Sequence, residues 1–156
     1  MGKRKSWTER LADDKNLPLV KPIPPKMVKR SGQGTMVVPA PREVDAAIKT
    51  VRKRKLATAR EIAGLIARRH GTTVCCPVTT GIFAWIAAHA AHEAELIGRK
   101  AITPYWRVLK NGGELNGKYP GGLSDVKQRL EAEGHVVVRQ GQRYLVKDYE
   151  KKLVAI

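Results

Sequence analysis

Carboxylates, cysteines and long apolar runs are scarce in this sequence, and each shortage removes a class of function. Only 14 Asp and Glu stand against 30 Lys and Arg in 156 residues, a formal net charge of +16 at pH 7 and a pI near 10.3. So large a cationic excess makes a polyanion the expected partner, nucleic acid first and an anionic membrane surface second. No segment reads as a helix that is basic on one face and strongly apolar on the other. The longest apolar stretch, Gly81 to Ala91, is too short to span a bilayer, so no membrane role is expected. The basic start is not followed by an apolar region, so no secretory peptide is expected. Cys75 and Cys76 are the sole cysteines and are adjacent. That placement rarely suits a structural disulfide and fits a reducing cytoplasm. Zinc and haem patterns are absent, and neither a metal nor a cofactor is expected. The length allows one ordinary domain and a tail.

The tail is expected over residues 1–36. Nine of its first thirty residues are Lys or Arg and three are acidic, and prolines stand at 18, 22, 24 and 25. Ser6-Trp7-Thr8-Glu9 can cap a short helix to about Lys15, and Ser31-Gly32-Gln33-Gly34 is linker-like. The expected arm is otherwise extended. It either lies along a phosphate backbone or over the domain, or it is a solvated tail.

The domain is expected over residues 37–156. Pro41 suits a first helical position, and Val44, Ala47, Ile48 and Val51 share one helical face. The Arg52–Lys55 run then complements the helix dipole or meets phosphate. Thr58 and Glu61 form a capping box for a helix to about Arg69, which stops at Gly71. Another helix is expected from Thr79 or Thr80, carrying Ile82, Phe83, Trp85 and Ile86 towards Gly98. Two helices with a short connection suggest a helix-turn-helix, whose second helix enters a groove. Ser124 or its neighbour opens a further helix with Val126 and Leu130 inward and Gly134 after its end. Val136–Val138 and Tyr144–Val146 flank Gln140-Gly141 as a hairpin, the wing of a winged helix. His89 and His92 are read as ordinary helix residues without a third metal ligand.

Between these elements lies Thr103-Pro104-Tyr105-Trp106-Arg107-Val108-Leu109, followed by a stretch with five glycines between Gly112 and Gly122. Read from the residues, this is either a shaped loop presenting two aromatics or a short buried strand with a glycine turn. Pro104-Tyr105-Trp106-Arg107-Val108 resembles the Pro-Cys-His-Arg-Val motif of the 6-O-alkylguanine-DNA alkyltransferases. Lys118-Tyr119-Pro120-Gly121-Gly122 resembles their Tyr-Ser-Gly-Gly loop, and the following helix up to Gly134 is similar to theirs. Ala57–Ala63 resembles the start of their helix-turn-helix, with Ala59 where they carry a phosphate-contacting tyrosine. Thr79–Phe83 falls where their recognition helix carries an arginine. The resemblance spans roughly residues 40–134 and lacks the N-terminal α/β domain of many alkyltransferases. Tyr105 stands at the acceptor cysteine and Trp106 at the histidine. The chain is therefore similar to the alkyltransferase-like branch, whose members bind alkylated DNA without repairing it.

The resemblance implies a mainly α fold with a small β hairpin: a winged helix-turn-helix of the alkyltransferase C-terminal type, with an extended basic N-terminal arm. It implies a pocket for a flipped or alkylated guanine from Tyr105, Trp106, Arg107, Tyr119, Pro120 and Gly121. Trp106 has an equal reading as a core residue, and Arg107 one as a tie between nearby carbonyls. Groove contacts are expected from Thr58, Arg60, Thr79, Thr80, Gly81 and Phe83, and phosphate contacts from Arg54, Lys55, Arg99, Lys100 and Lys110. A phenol near pKa 10 is no thiolate, so Tyr105 cannot accept an alkyl group. Cys75 and Cys76 are read as buried thiols in preference to nucleophiles. The expected function is non-catalytic binding of double-stranded DNA containing alkylated guanine, flagging it for repair proteins, by a monomeric cytoplasmic, nucleoid-associated protein. The alternatives are a general winged-helix regulator or architectural protein, and an active alkyltransferase using another cysteine.

Overall fold

The computed structural model describes residues 4–155, so residues 1–3 and 156, at the outer ends of the two expected units, lie outside the described residues. Helices α1 (Trp7–Ala12) and α2 (Pro25–Ser31) alternate with strands β1 (Leu19–Pro22) and β2 (Thr35–Val38). Next come α3 (Pro41–Lys49), β3 (Ala57–Thr58), α4 (Ala59–His70), β4 (Val74–Cys75) and α5 (Pro77–Leu96). A 3₁₀ turn at Tyr105–Arg107 leads into β5 (Val108–Leu109), followed by α6 (Gly122–Ala132), β6 (Val137–Gln140) and β7 (Arg143–Val146).

Three helices enclose the core. Pro41 opens α3, whose Val44, Ala47 and Ile48 are buried, as is Val51 just beyond it. At the start of α4 the Glu61 carboxylate accepts both the Thr58 N–H and the Thr58 hydroxyl at 2.8 Å. These bonds satisfy donors that a helix N-terminus otherwise leaves open. Gly71 closes α4 in the left-handed conformation, φ 65°. Against both helices lies α5, with Phe83, Ile86 and a run of buried alanines. The alanines let neighbouring backbones pack closely without voids. α5 begins earlier than Thr79, because Pro77 takes the first helical position and the Thr80 hydroxyl donates to the Cys76 carbonyl at 2.8 Å. Likewise α6 opens at Gly122 and not at Ser124. Gly121, φ 81°, is its N-cap, where a Cβ would collide with Asp125.

Three small sheets pin the loops. β1 pairs antiparallel with β2, and β2 pairs parallel with β4. β3 and β5 pair in parallel, while β6 and β7 form the expected hairpin, with Val137 opposite Val146. The glycine-containing stretch after β5 is fastened to this hairpin: Leu115 N–H donates to Tyr144 O at 2.9 Å and Val146 N–H to Gly113 O at 3.0 Å.

The N-terminal residues are less extended than the prolines suggest. Pro25 starts α2 because its missing N–H costs nothing at a first helical turn. Ser6 and Glu9 form a reciprocal capping box on α1 at 3.1 and 3.2 Å. α1 ends at Ala12, short of Lys15, which adopts positive φ. The segment lies over the domain, and Met36 and Val37 of β2 are buried in it. Among the described residues no helix is long and apolar enough to cross a membrane.

Ile66 is 1% exposed and Val78 is 70% exposed. Ile66→Ala is expected to cost about 2–5 kcal/mol of stability, and Val78→Ala less than about 0.5 kcal/mol. Urea unfolding of both variants measures the contrast.

Candidate nucleic-acid interface

The Tyr105-Trp106-Arg107 turn faces inward. Tyr105 is 0% exposed, with its ring edge-on to Trp106 at 5.2 Å and to Tyr119 at 5.7 Å. The Arg129 guanidinium sits 5.5 Å from the Tyr105 ring centre and 4.9 Å from that of Trp106. Burial pushes the Tyr105 phenol up to about 12, so it carries no charge at neutral pH. Tyr119 and Pro120 are buried as well, and burial also raises the Tyr119 phenol. Of the six residues expected to line a base pocket, these three are core residues. The apolar rings outcompete any outward-facing arrangement because burying them removes large areas from water.

Arg107 acts as a tie. Its Nε and Nη2 donate to the Glu133 carboxylate at 2.9 and 2.6 Å, and its Nη1 donates to Val51 O at 2.6 Å. This joins the end of α3, the 3₁₀ turn and the end of α6. Loss of one partner from such a buried pair typically costs about 3–5 kcal/mol.

An open cavity of about 780 Å³ lies on the outer side of α5. Val78, Ile82, Trp85 and His89 form one wall, and Lys110, Asn116 and Lys118 of the glycine-containing stretch form the other. Their spacing of four, three and four residues draws an apolar stripe along the helix. Val78 is 70%, Ile82 50% and Trp85 36% exposed, in contrast to the buried Phe83 and Ile86. Gly81 is exposed and opens the wall, because a Cβ there would meet nothing.

That rotation of α5 corrects two expected groove contacts. Thr80 is 0% and Phe83 5% exposed, and both face the core. Thr79 is half-buried, with its hydroxyl donating to Cys76 Sγ at 3.2 Å. Thr58 is buried on Glu61 and has no free face, whereas Arg60 is exposed on α4. Arg54, Lys55, Arg99, Lys100 and Lys110 are exposed, as phosphate contacts must be, but they are not one cluster. Lys110 borders the α5 cavity, while Arg54 and Lys100 border two other cavities.

The inner end of the cavity rests on an aromatic group that pattern reading missed. Trp7 of α1 stacks on His89 at 4.4 Å and meets Trp85 edge-on at 4.8 Å. Arg10 lies over the Trp7 ring at 4.7 Å. Glu93 holds α1 in place by accepting the N–H groups of Trp7 and Thr8, at 3.1 and 3.2 Å, and the Thr8 hydroxyl at 2.8 Å. The Thr8 hydroxyl bond and the two backbone bonds hold this carboxyl below its ordinary range. The sequence signal for the exposed stripe is that α5 is apolar on more than one face, which one buried face cannot explain.

Cys75 is 5% exposed and hydrogen-bonded to Thr80 at 3.3 Å. Burial pushes its thiol up to about 11, so it holds its proton at neutral pH. Among the described residues no group of three or more His, Cys, Asp or Glu is placed to hold a metal ion.

Three core helices, small sheets and a terminal hairpin make a mainly α fold with a small β part, and this fold resembles that of an alkyltransferase-like protein of S. pombe. Two solved structures carry the likeness. One is S. pombe Atl1 in complex with damaged DNA containing O6-carboxymethylguanine, with 19% identity and a TM-score of 0.53 over 74% of this chain and 94% of that chain. The other is S. pombe ATL in complex with DNA, with the same identity, coverage and TM-score. At that identity the likeness is one of fold. No protein-family model and no curated protein matches the sequence.

Burial holds the imidazoles of His89 and His135 below their ordinary range. The unfolded chain then binds their protons more readily than the folded one. Their contribution to stability is complete above about pH 6.5, the unfolded value, and is lost as the pH falls below it. Urea midpoints are expected to drop between pH 7.5 and 5.5, and His135→Gln to flatten that slope.

Proposed function

We propose that this chain is a DNA-binding protein of the alkyltransferase-like type. It holds an alkylated or extruded guanine in the cavity beside α5 and transfers no alkyl group. The observation that carries this reading is the exposed stripe Val78, Ile82 and Trp85 facing the loop at Asn116–Lys118. An apolar and aromatic wall on the second helix of a helix-turn-helix receives a flat base, and Lys110 and Lys118 at the rim meet its phosphates. A modified base costs less to unstack than a paired one, which gives selectivity without catalysis. The neutral, buried Tyr105 phenol and Cys75 thiol supply no thiolate at either position to accept an alkyl group. The fold shared with S. pombe Atl1, solved with damaged DNA containing O6-carboxymethylguanine, supports the same reading. Flagging the lesion for repair proteins, acting as a monomer and working in the cytoplasm on the nucleoid belong to this proposal.

A second reading is a general DNA-binding regulator or architectural protein on the same scaffold. It is favoured by the burial of Tyr105 and Tyr119, which places both tyrosines in the core and off the cavity.

The two readings separate in a titration of one duplex, plain and carrying a single 6-O-methylguanine, at two salt concentrations. The first reading expects tighter binding to the modified duplex and loss of that preference in Trp85→Ala, about 1–3 kcal/mol for a stacking side chain. Both affinities fall with salt, in proportion to the phosphates neutralised. Equal binding to the two duplexes by the unaltered protein leaves the second reading.

A further inference from the structure

Lysines border more than one cavity. The cavity of the proposed lesion site opens on the first turns of α5, from Pro77 to His89. A different cavity, of about 550 Å³, lies beyond its last turn and shares no lining residue with the first. Its rim carries Lys49, Lys53 and Lys100, and its apolar floor is Ile102, Pro104 and Trp106. From His89, where the first cavity ends along the helix, to Leu96 the helix rises about 10 Å at 1.5 Å per residue. Arg107 and Glu133 also line this cavity but neutralise each other at 2.6 Å. Through Lys53 it adjoins a smaller cavity of about 380 Å³ bordered by Arg54, His135 and Lys152.

Three observations bear on what such a groove would hold. Lys53, Arg54, Lys100 and Lys152 have no carboxylate within ion-pairing distance among the described residues, and only Lys49 is engaged, by Asp45 at 3.1 Å. Charge there is therefore available to an external anion. Secondly, the indole N–H of Trp106, a lining residue of the groove, has no hydrogen-bond partner among the described residues, whereas buried groups of this kind are normally satisfied. Lastly, an apolar floor among lysines suits a ligand that brings flat bases and phosphates together. Bases in an intact duplex are stacked and paired and cannot reach such a floor.

We propose that the groove of Lys49, Lys53, Lys100 and Trp106 is a second nucleic-acid site, which takes an unpaired single-stranded segment. Bases lie over Ile102, Pro104 and Trp106, and successive phosphates meet the lysines. The site works independently of lesion recognition, so it stands or falls apart from the function proposed above.

The test uses the full chain, an eight-residue oligothymidine, the same backbone without bases, thymidine monophosphate and polyglutamate. Lys53→Gln/Lys100→Gln changes two exposed side chains and is compatible with an unaltered fold. It is expected to weaken oligothymidine binding about tenfold and to lower its salt dependence. The ratio of affinities for modified and plain duplex is expected to stay the same. Ile82→Glu is expected to lower that ratio and to leave oligothymidine binding intact. Thymidine monophosphate competing as well as the oligomer would identify a free nucleotide as the source of the same base-and-phosphate chemistry and would overturn the strand. Equal binding of the base-free backbone or of polyglutamate would reduce the groove to a charged surface and overturn the proposal. Unaltered oligothymidine binding in the lysine variant would overturn it too.

Discussion

The rotation of α5 about its axis is the constraint on which the rest of the molecule depends. Phe83, Ile86 and the alanines must face α3 and α4 to close the core, and this leaves Val78, Ile82 and Trp85 outside. A helix apolar on two faces needs two partners. The core supplies one. The loop from Lys110 to Lys118 stands opposite the other at a distance that leaves a cavity, because Leu115 anchors it in the core and β7 fixes its backbone. This exposed apolar stripe, held open beside the loop, is the surface on which the proposed binding rests.

The Arg107–Glu133 pair and the buried Tyr105 serve the frame around that site. Arg107 gathers α3, α6 and the 3₁₀ turn through one guanidinium, whose planar fork suits a carboxylate and a carbonyl together. Tyr105, Trp106 and Tyr119 pack edge-on beside Arg129, and desolvation keeps the phenols neutral. A hydroxyl so placed has neither charge nor access for group transfer. The binding proposed for the α5 cavity rests on shape, an indole face and two lysines at its rim.

Local signals in the chain were enough for much of this. The Ser6/Glu9 and Thr58/Glu61 pairs announce the starts of α1 and α4, Pro41 that of α3, and Gly71 the end of α4, because capping depends on near neighbours. The mainly α fold and its hairpin were legible from periodicity and from the alkyltransferase-like motifs. The facing of Thr80 and Phe83 was not. Their orientation is decided by which stripe of an all-round apolar helix meets α3 and α4, a tertiary choice. Nor did sequence bring Trp7 to His89, since that contact spans most of the helical domain and relies on Glu93 to cap α1 from outside. Which lysines border which cavity was equally hidden, as net charge carries no position.

The most direct measurement of the central claim uses the three tryptophan indole N–H signals in a nuclear magnetic resonance titration with one equivalent of modified duplex. Trp7, Trp85 and Trp106 report on the helix behind the cavity, the cavity wall and the core turn respectively. Binding of the modified base beside α5 predicts a large shift of Trp85, a smaller one of Trp7 and an unchanged Trp106. A modified duplex that binds and leaves the Trp85 signal unmoved would contradict the account.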